Sequence, residues 1–145
     1  AGGLGTRLRS VVADAPKSMA PVAGAPFLKH VIDYLVQQGV THFIFSVGYM
    51  RETIIEFVQE EYPHLNAKFA VEKEPLDTGG AVKLSASFSK EKNAFVINGD
   101  TLFTVNLSEL SAFHYNHPSE CTLSLKPMKQ FNRYGVVETD PENRI

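Results

Sequence analysis

Glycine at positions 2, 3 and 5, with Arg7 and Lys17 close behind, could hold a polyanion. Without a Cβ, Gly2, Gly3 and Gly5 let the backbone turn tightly and bring its N–H groups against phosphate oxygens. Arg7 and Lys17 add fixed positive charge, one as a planar fork and the other as a point charge. The chemistry implied is charge neutralisation on phosphate, suited to a nucleoside triphosphate. The common phosphate loops do not fit. A P-loop ends in Gly-Lys-Ser/Thr, whereas Gly5 is followed by Thr6-Arg7. The dinucleotide fingerprint of dehydrogenases needs glycine where Leu8 stands, and an acidic residue about twenty positions on.

The elements that must position these residues follow from periodicity. Pro26 to Gln38 places Phe27, Val31, Ile32, Tyr34 and Leu35 on one helical face, with Gly39 as the stop. His42 to Val47 is a nearly continuous apolar run, the mark of a strand covered on both sides. Arg51 to Glu61 is helical through Ile54, Ile55, Phe57 and Val58. Lys68 to Glu72 reads as a strand, Thr78 to Phe88 as a helix, and Ala94 to Ile97 as a buried strand. Leu107 to His117 is helical, and Glu120 to Lys126 and Tyr134 to Thr139 alternate as strands. The pattern predicts an α/β fold, a three-layer α/β/α sandwich around a Rossmann-like, mostly parallel sheet, with antiparallel strands added late. Residues 1–145 are expected to form one domain, truncated at both ends, lacking a first strand and a C-terminal part.

In such sheets ligands collect at the carboxyl ends of the strands. The loops Gly2 to Arg9 and Glu72 to Gly80, and Asn98-Gly99-Asp100, all fall on that rim. Asp100 is the metal candidate, because Mg²⁺ takes hard oxygen ligands and usually only one or two carboxylates beside phosphate oxygens. A hairpin turn at Asn98-Gly99 is the competing reading, disfavoured by the apolar strand before it and the helix soon after.

Composition excludes several classes. With 43% hydrophobic and 21% charged residues the chain reads as an ordinary soluble globular protein. A net charge of −2 argues against nucleic-acid binding. No apolar run approaches a membrane span and no secretory signal is present, so a cytoplasmic protein without a membrane partner is expected. Cys121, in the alternating run to Leu125, reads as a small core residue of a reduced protein rather than a reactive thiol. His114 and His117 share a helix face but have no evident third ligand, so they read as surface residues. Lys126, Lys129 and Arg133 form a small basic cluster, read as solvated rather than as an anion site.

The run Gly2-Gly3-Leu4-Gly5-Thr6-Arg7-Leu8, followed by Pro16-Lys17 and Pro21-Val22, resembles the signature of the sugar-1-phosphate nucleotidyltransferases. The resemblance implies transfer of a nucleoside monophosphate from a triphosphate to a sugar 1-phosphate, with release of pyrophosphate and Mg²⁺ as cofactor. It implies that Gly2, Gly3, Gly5 and Thr6 cradle the triphosphate, that Arg7 and Lys17 act on its phosphates in catalysis, and that Asp100 binds the metal. Glu72 to Ala81 resembles the family segment that lies against the nucleobase, which would place Glu72, Pro75, Thr78 and Gly79 at the base. There Glu72 or nearby carbonyls would accept its hydrogen bonds. Asp77 stands where the family most often has glycine, and Asp77 or Thr78 is also expected to cap the helix that follows. Tyr134 and Gly135 match a sugar-binding segment, although Tyr134 serves equally as a core strand residue. The resemblance also implies a second metal-binding aspartate and a sugar-phosphate lysine beyond Ile145, and it allows a homo-oligomer.

Within the family, Arg7 to Val12, Ser46 to Tyr49 and Val96 to Thr101 resemble the branch that joins GMP to D-glycero-D-manno-heptose 1-phosphate for surface polysaccharides. Transferases for mannose- or glucose-type sugars with another nucleotide are the nearest rivals. A regulatory subunit that binds sugar nucleotides without turnover is a further alternative, disfavoured because Arg7, Lys17 and Asp100 are all retained.

Overall fold

Pro16 holds an extended backbone (φ −59°, ψ 147°) ahead of a single 3-10 turn, Lys17–Met19, in the computed structural model. The structure describes residues 15–117, 119–129 and 135–145. A small antiparallel hairpin follows, β1 (Pro21–Val22) paired with β2 (Ala25–Pro26). Its reversal places both Ala23 (φ 49°) and Gly24 (φ 84°) in the left-handed region, the geometry of a two-residue hairpin turn.

Helix α1 (Phe27–Gln37) buries Leu28, Val31, Ile32 and Leu35, the one-turn and two-turn spacing of a single face. Phe27 and Tyr34, expected on that face, are only half-buried. Gly39, at φ 84°, donates its N–H to the Val36 carbonyl and ends the helix as expected. β3 (His42–Val47), α2 (Arg51–Glu61) and β4 (Asn66–Val71) complete a right-sized crossover, and β3 pairs with β4 in parallel, His42 opposite Asn66 and Val47 opposite Val71. Parallel pairing requires such a connection. Ile32, Val47, Ile54 and Val58 are the largest fully buried side chains, so α1 and α2 supply the core with β3. Each such burial contributes roughly 1.5–3 kcal/mol. Helix α3 (Asp77–Ala86) follows β4, and α4 (Leu107–Asn116) lies further on.

The chain divides into two compact units, Ala1–Asn106 and Leu107–Ile145. In the second, the rings of Phe113 and His117 stack at 4.0 Å and a His114 ring nitrogen lies 2.9 Å from the Thr122 hydroxyl.

Three strand expectations are corrected. Residues 94–97, 120–126 and 135–139 carry no ladder among the described residues, and Val96 is 64% exposed. An apolar or alternating run states only a capacity to pair; a strand exists once a neighbour supplies the hydrogen bonds, and none is found here among the described residues. Cys121 is exposed rather than a core residue for the same reason.

Tyr62 ties the two long helices together. It is 6% exposed, and its hydroxyl donates to the Asp33 carboxylate at 2.5 Å. The Lys29 ammonium lies 3.7 Å from Asp33, 3.4 Å from Glu61 and 5.2 Å from the Tyr62 ring centre. Burial, then the hydrogen bond to Asp33 and the charges of Asp33 and Glu61, pushes the phenol well above its ordinary value. A group whose folded pKa is raised contributes stability that is present below the unfolded value and lost as pH rises toward the folded one. Urea unfolding is therefore expected to show stability declining above pH about 10. Tyr62→Phe should remove that part of the decline while costing about 1–2 kcal/mol at neutral pH. An unchanged alkaline slope in the variant would contradict this.

Candidate functional site

Lys17 and Asp100 meet although 83 positions separate them. The Lys17 ammonium donates to an Asp100 carboxylate oxygen at 2.5 Å, and the Thr101 hydroxyl reaches the other oxygen at 3.4 Å. Local structure aims both. On the lysine side, the 3-10 turn is closed by the Met19 N–H on the Pro16 carbonyl (2.8 Å), and the Phe27 N–H on the Ala20 carbonyl (2.9 Å) locks it to the start of α1. The His30 ring donates to the Val22 carbonyl at 2.9 Å and fastens the hairpin to the same helix. On the aspartate side, the Tyr34 hydroxyl and the Gln38 amide both donate to the Val105 carbonyl, at 2.9 and 3.1 Å, so α1 also anchors the segment that carries Asp100.

Hydrogen bonding from Lys17 holds the Asp100 carboxyl below its ordinary range, against the opposing effect of partial burial. Asp100 is therefore ionised at neutral pH, and the stability drawn from the pair disappears only as pH falls through that lowered value. The side chains are 41% and 37% exposed, where an ion pair contributes roughly 0–1 kcal/mol. Such a pair is easily exchanged for other partners. Next to it, Ser18 is 3% exposed and its hydroxyl has no hydrogen-bond partner among the described residues.

The second assembly is the turn after β4. Glu72 extends the ladder through its N–H to the Val47 carbonyl (2.8 Å) and is 8% exposed. One carboxylate oxygen accepts from the Ser46 hydroxyl at 2.8 Å, the other from the Leu76 N–H at 3.2 Å. Both oxygens expected at a nucleobase thus already have partners within the protein. The residue before α3 is Leu76, with no side-chain cap, so the expected capping by Asp77 or Thr78 is not made. Asp77 sits at φ 55°, the left-handed conformation that glycine favours and aspartate tolerates. The departure from the family's glycine thus leaves a glycine-like backbone.

Gly79 and Gly80 differ. A Cβ on Gly80 would lie 2.8 Å from the Leu76 Cβ, so packing requires this glycine. A Cβ on Gly79 would meet no atom within 4 Å, and its φ is not positive. Nothing within the described protein demands glycine there. Pro75 and Thr78 are exposed on the same turn.

Of the residues singled out from the sequence, Lys17 and Asp100 are brought together, and Glu72, Pro75, Thr78 and Gly79 share one turn. Gly135 is exposed with open space at its Cα. Gly2, Gly3, Gly5, Thr6, Arg7 and Tyr134 lie outside the described residues. Sequence reasoning missed Ser46 as a partner of Glu72; the available signal was a hydroxyl within an otherwise apolar strand. Among the described residues no group of three or more His, Cys, Asp or Glu side chains could hold a metal, and no helix is long and apolar enough to cross a membrane.

A family model described as nucleotidyl transferase matches residues 1–145. The chain is 46% identical over 138 residues to the D-glycero-alpha-D-manno-heptose 1-phosphate guanylyltransferase of Aneurinibacillus thermoaerophilus, covering 95% of this chain and 60% of that protein. Identity to the protein of the same name from Campylobacter jejuni is 43% over 144 residues, 99% of this chain and 63% of the relative. Among solved structures, HddC from Yersinia pseudotuberculosis complexed with GMP-PN superposes with a TM-score of 0.71 at 40% identity, over 78% of this chain and 51% of that one. The chain therefore spans about 60% of the length of these curated relatives.

Proposed function

The chain belongs to the nucleotidyl transferase family, and on that ground we propose that the whole protein transfers GMP from GTP to a sugar 1-phosphate. D-glycero-D-manno-heptose 1-phosphate is the proposed acceptor, in line with the names of the relatives at 46% and 43% identity. The match of one family model across residues 1–145 supports reading both compact units as parts of one catalytic domain. The carrying observation is the Lys17–Asp100 pair, a cation and an anion from distant segments held at one point.

The sugar phosphate's second pKa is near 6, so the attacking oxygen is already ionised at neutral pH and no general base is required. That oxygen forms a bond to the α-phosphorus of the triphosphate as the α–β P–O bond breaks and pyrophosphate leaves. The barrier is electrostatic, and positioning with charge neutralisation lowers it. In this reading Lys17 turns from Asp100 onto phosphate oxygens, Arg7 pairs with the β- and γ-phosphates, and Gly2, Gly3, Gly5 and Thr6 cradle them. Asp100, an ionised and partly exposed hard oxygen donor, fits Mg²⁺, which binds through one or two carboxylates and substrate phosphates. When bound, that ion supplies charge neutralisation on phosphate oxygens. The open Cα of Gly79 supports a flat nucleobase lying against the turn with Pro75 and Thr78, and Tyr134 and Gly135 are assigned to the sugar. We place the protein in the cytoplasm, where nucleoside triphosphates are made.

The test is pyrophosphate release by the full-length protein with Mg²⁺, supplied with GTP, UTP, dTTP or CTP against heptose, mannose and glucose 1-phosphates. Turnover is expected with GTP and the heptose phosphate. Equal rates with all nucleotides, or none with GTP, would overturn the assignment.

A further inference from the structure

We propose that Ser46 is a positioning residue for the nucleotide: through the Glu72 carboxylate it sets the turn at residues 72–77, whose backbone then meets the nucleobase. This rests on reading residues 72–80 as the nucleobase loop.

Ser46 is the polar residue within the apolar stretch Phe43-Ile-Phe-Ser-Val47 of β3. In the parallel register it stands opposite Ala70 of β4, and Glu72 lies two positions beyond Ala70, hence on the same face of the ladder. The hydroxyl and the carboxylate meet at 2.8 Å. The other carboxylate oxygen accepts from the Leu76 N–H at 3.2 Å. Glu72 is thereby fixed to β3 twice, by its side chain through Ser46 and by its N–H through the Val47 carbonyl. Leu76 is where that fixity matters. It precedes Asp77 at φ 55°, leads into α3, and its Cβ packs where a side chain on Gly80 would have to go. Holding the Leu76 N–H therefore holds the entry to α3 and the placement of Gly79. A carboxylate 8% exposed, with a donor on each oxygen, is arranged to brace a turn rather than to read a base edge.

Glutamine at this position separates the two roles. Its oxygen can accept from the Leu76 N–H and its amide can donate to the Ser46 hydroxyl, so the brace survives. The negative charge that would accept from the N1–H and amino group of guanine is lost.

The experiment is steady-state pyrophosphate release by the full-length protein with heptose 1-phosphate and GTP or UTP, alongside thermal melts. Ser46→Ala and Glu72→Ala should each raise the KM for GTP about tenfold or more, with kcat changed by less than about twofold. Ser46→Thr keeps the hydroxyl, and Glu72→Gln keeps the brace; each should recover most of the KM and keep the preference for GTP. Loss of that preference in Glu72→Gln as complete as in Glu72→Ala would overturn the proposal, since the carboxylate would then read the base itself. A wild-type KM in Ser46→Ala would also overturn it. A wild-type protein that releases pyrophosphate from no nucleoside triphosphate would instead remove the nucleotide reading on which the proposal stands.

Discussion

Lys17→Ala and Asp100→Asn are each expected to slow pyrophosphate release by the full-length protein by about 10²–10³, with stability changed by less than about 1 kcal/mol. The asymmetry follows from where the pair sits. Its side chains are 41% and 37% exposed, so solvent screens the attraction and little folding energy is lost with either partner. In the proposed transfer Lys17 would face phosphate oxygens whose negative charge shifts toward the leaving pyrophosphate, and Asp100 would hold the Mg²⁺ that neutralises them, so loss of either should raise the barrier itself. A drop in kcat with near-normal melting is the expected signature. A protein that melts much earlier but turns over normally would reduce the pair to a structural tie across 83 positions.

Gly79 and Gly80, adjacent and chemically identical, are expected to respond in opposite ways. Gly79→Ala meets open space in α3 and should stabilise the protein by up to about 1 kcal/mol, because alanine loses less backbone freedom in a helix. The same methyl would stand where a nucleobase is proposed to lie, so the KM for GTP should rise by at least about tenfold. Gly80→Ala drives a Cβ to 2.8 Å from the Leu76 Cβ, and such overpacking costs about 1–3 kcal/mol. Thermal melts and nucleotide KM values for the two variants check both halves. A Gly79→Ala protein with unchanged KM would remove the ligand as the reason for that glycine.

The two variants also mark where sequence reading stops. Helix α1 was legible because Val31, Ile32 and Leu35 carry a helical period and Gly39 a stop, both local signals, whereas Leu28 is buried in place of the expected Phe27 and Tyr34. β3 was legible as an apolar run, and β4 as a strand, read over 68–72 where the structure has Asn66–Val71. Residues 94–97 looked equally strand-like, yet hydropathy reports burial potential and says nothing of whether a hydrogen-bonding neighbour is present. Cys121 was misread as buried by the same logic. At the site, residue type, position on the rim and the resemblance all pointed to Lys17 and Asp100, but no spacing rule could set one within hydrogen-bond reach of the other. That packing demands glycine at 80 and not at 79 was hidden, since the sequence does not say which Cα faces Leu76. The engagement of Glu72 by Ser46 and Leu76 was hidden too: it depends on a register between strands that are separated by a whole helix.

The sharpest measurement is the Mg²⁺ dependence of single-turnover pyrophosphate release from GTP in the presence of heptose 1-phosphate, taken on wild-type full-length protein and on Asp100→Asn. If Asp100 holds the metal beside the triphosphate while Lys17 moves onto the phosphates, the variant should need at least about tenfold more Mg²⁺ to reach its own, lower plateau. Superimposable Mg²⁺ curves with equal plateaus would contradict that arrangement.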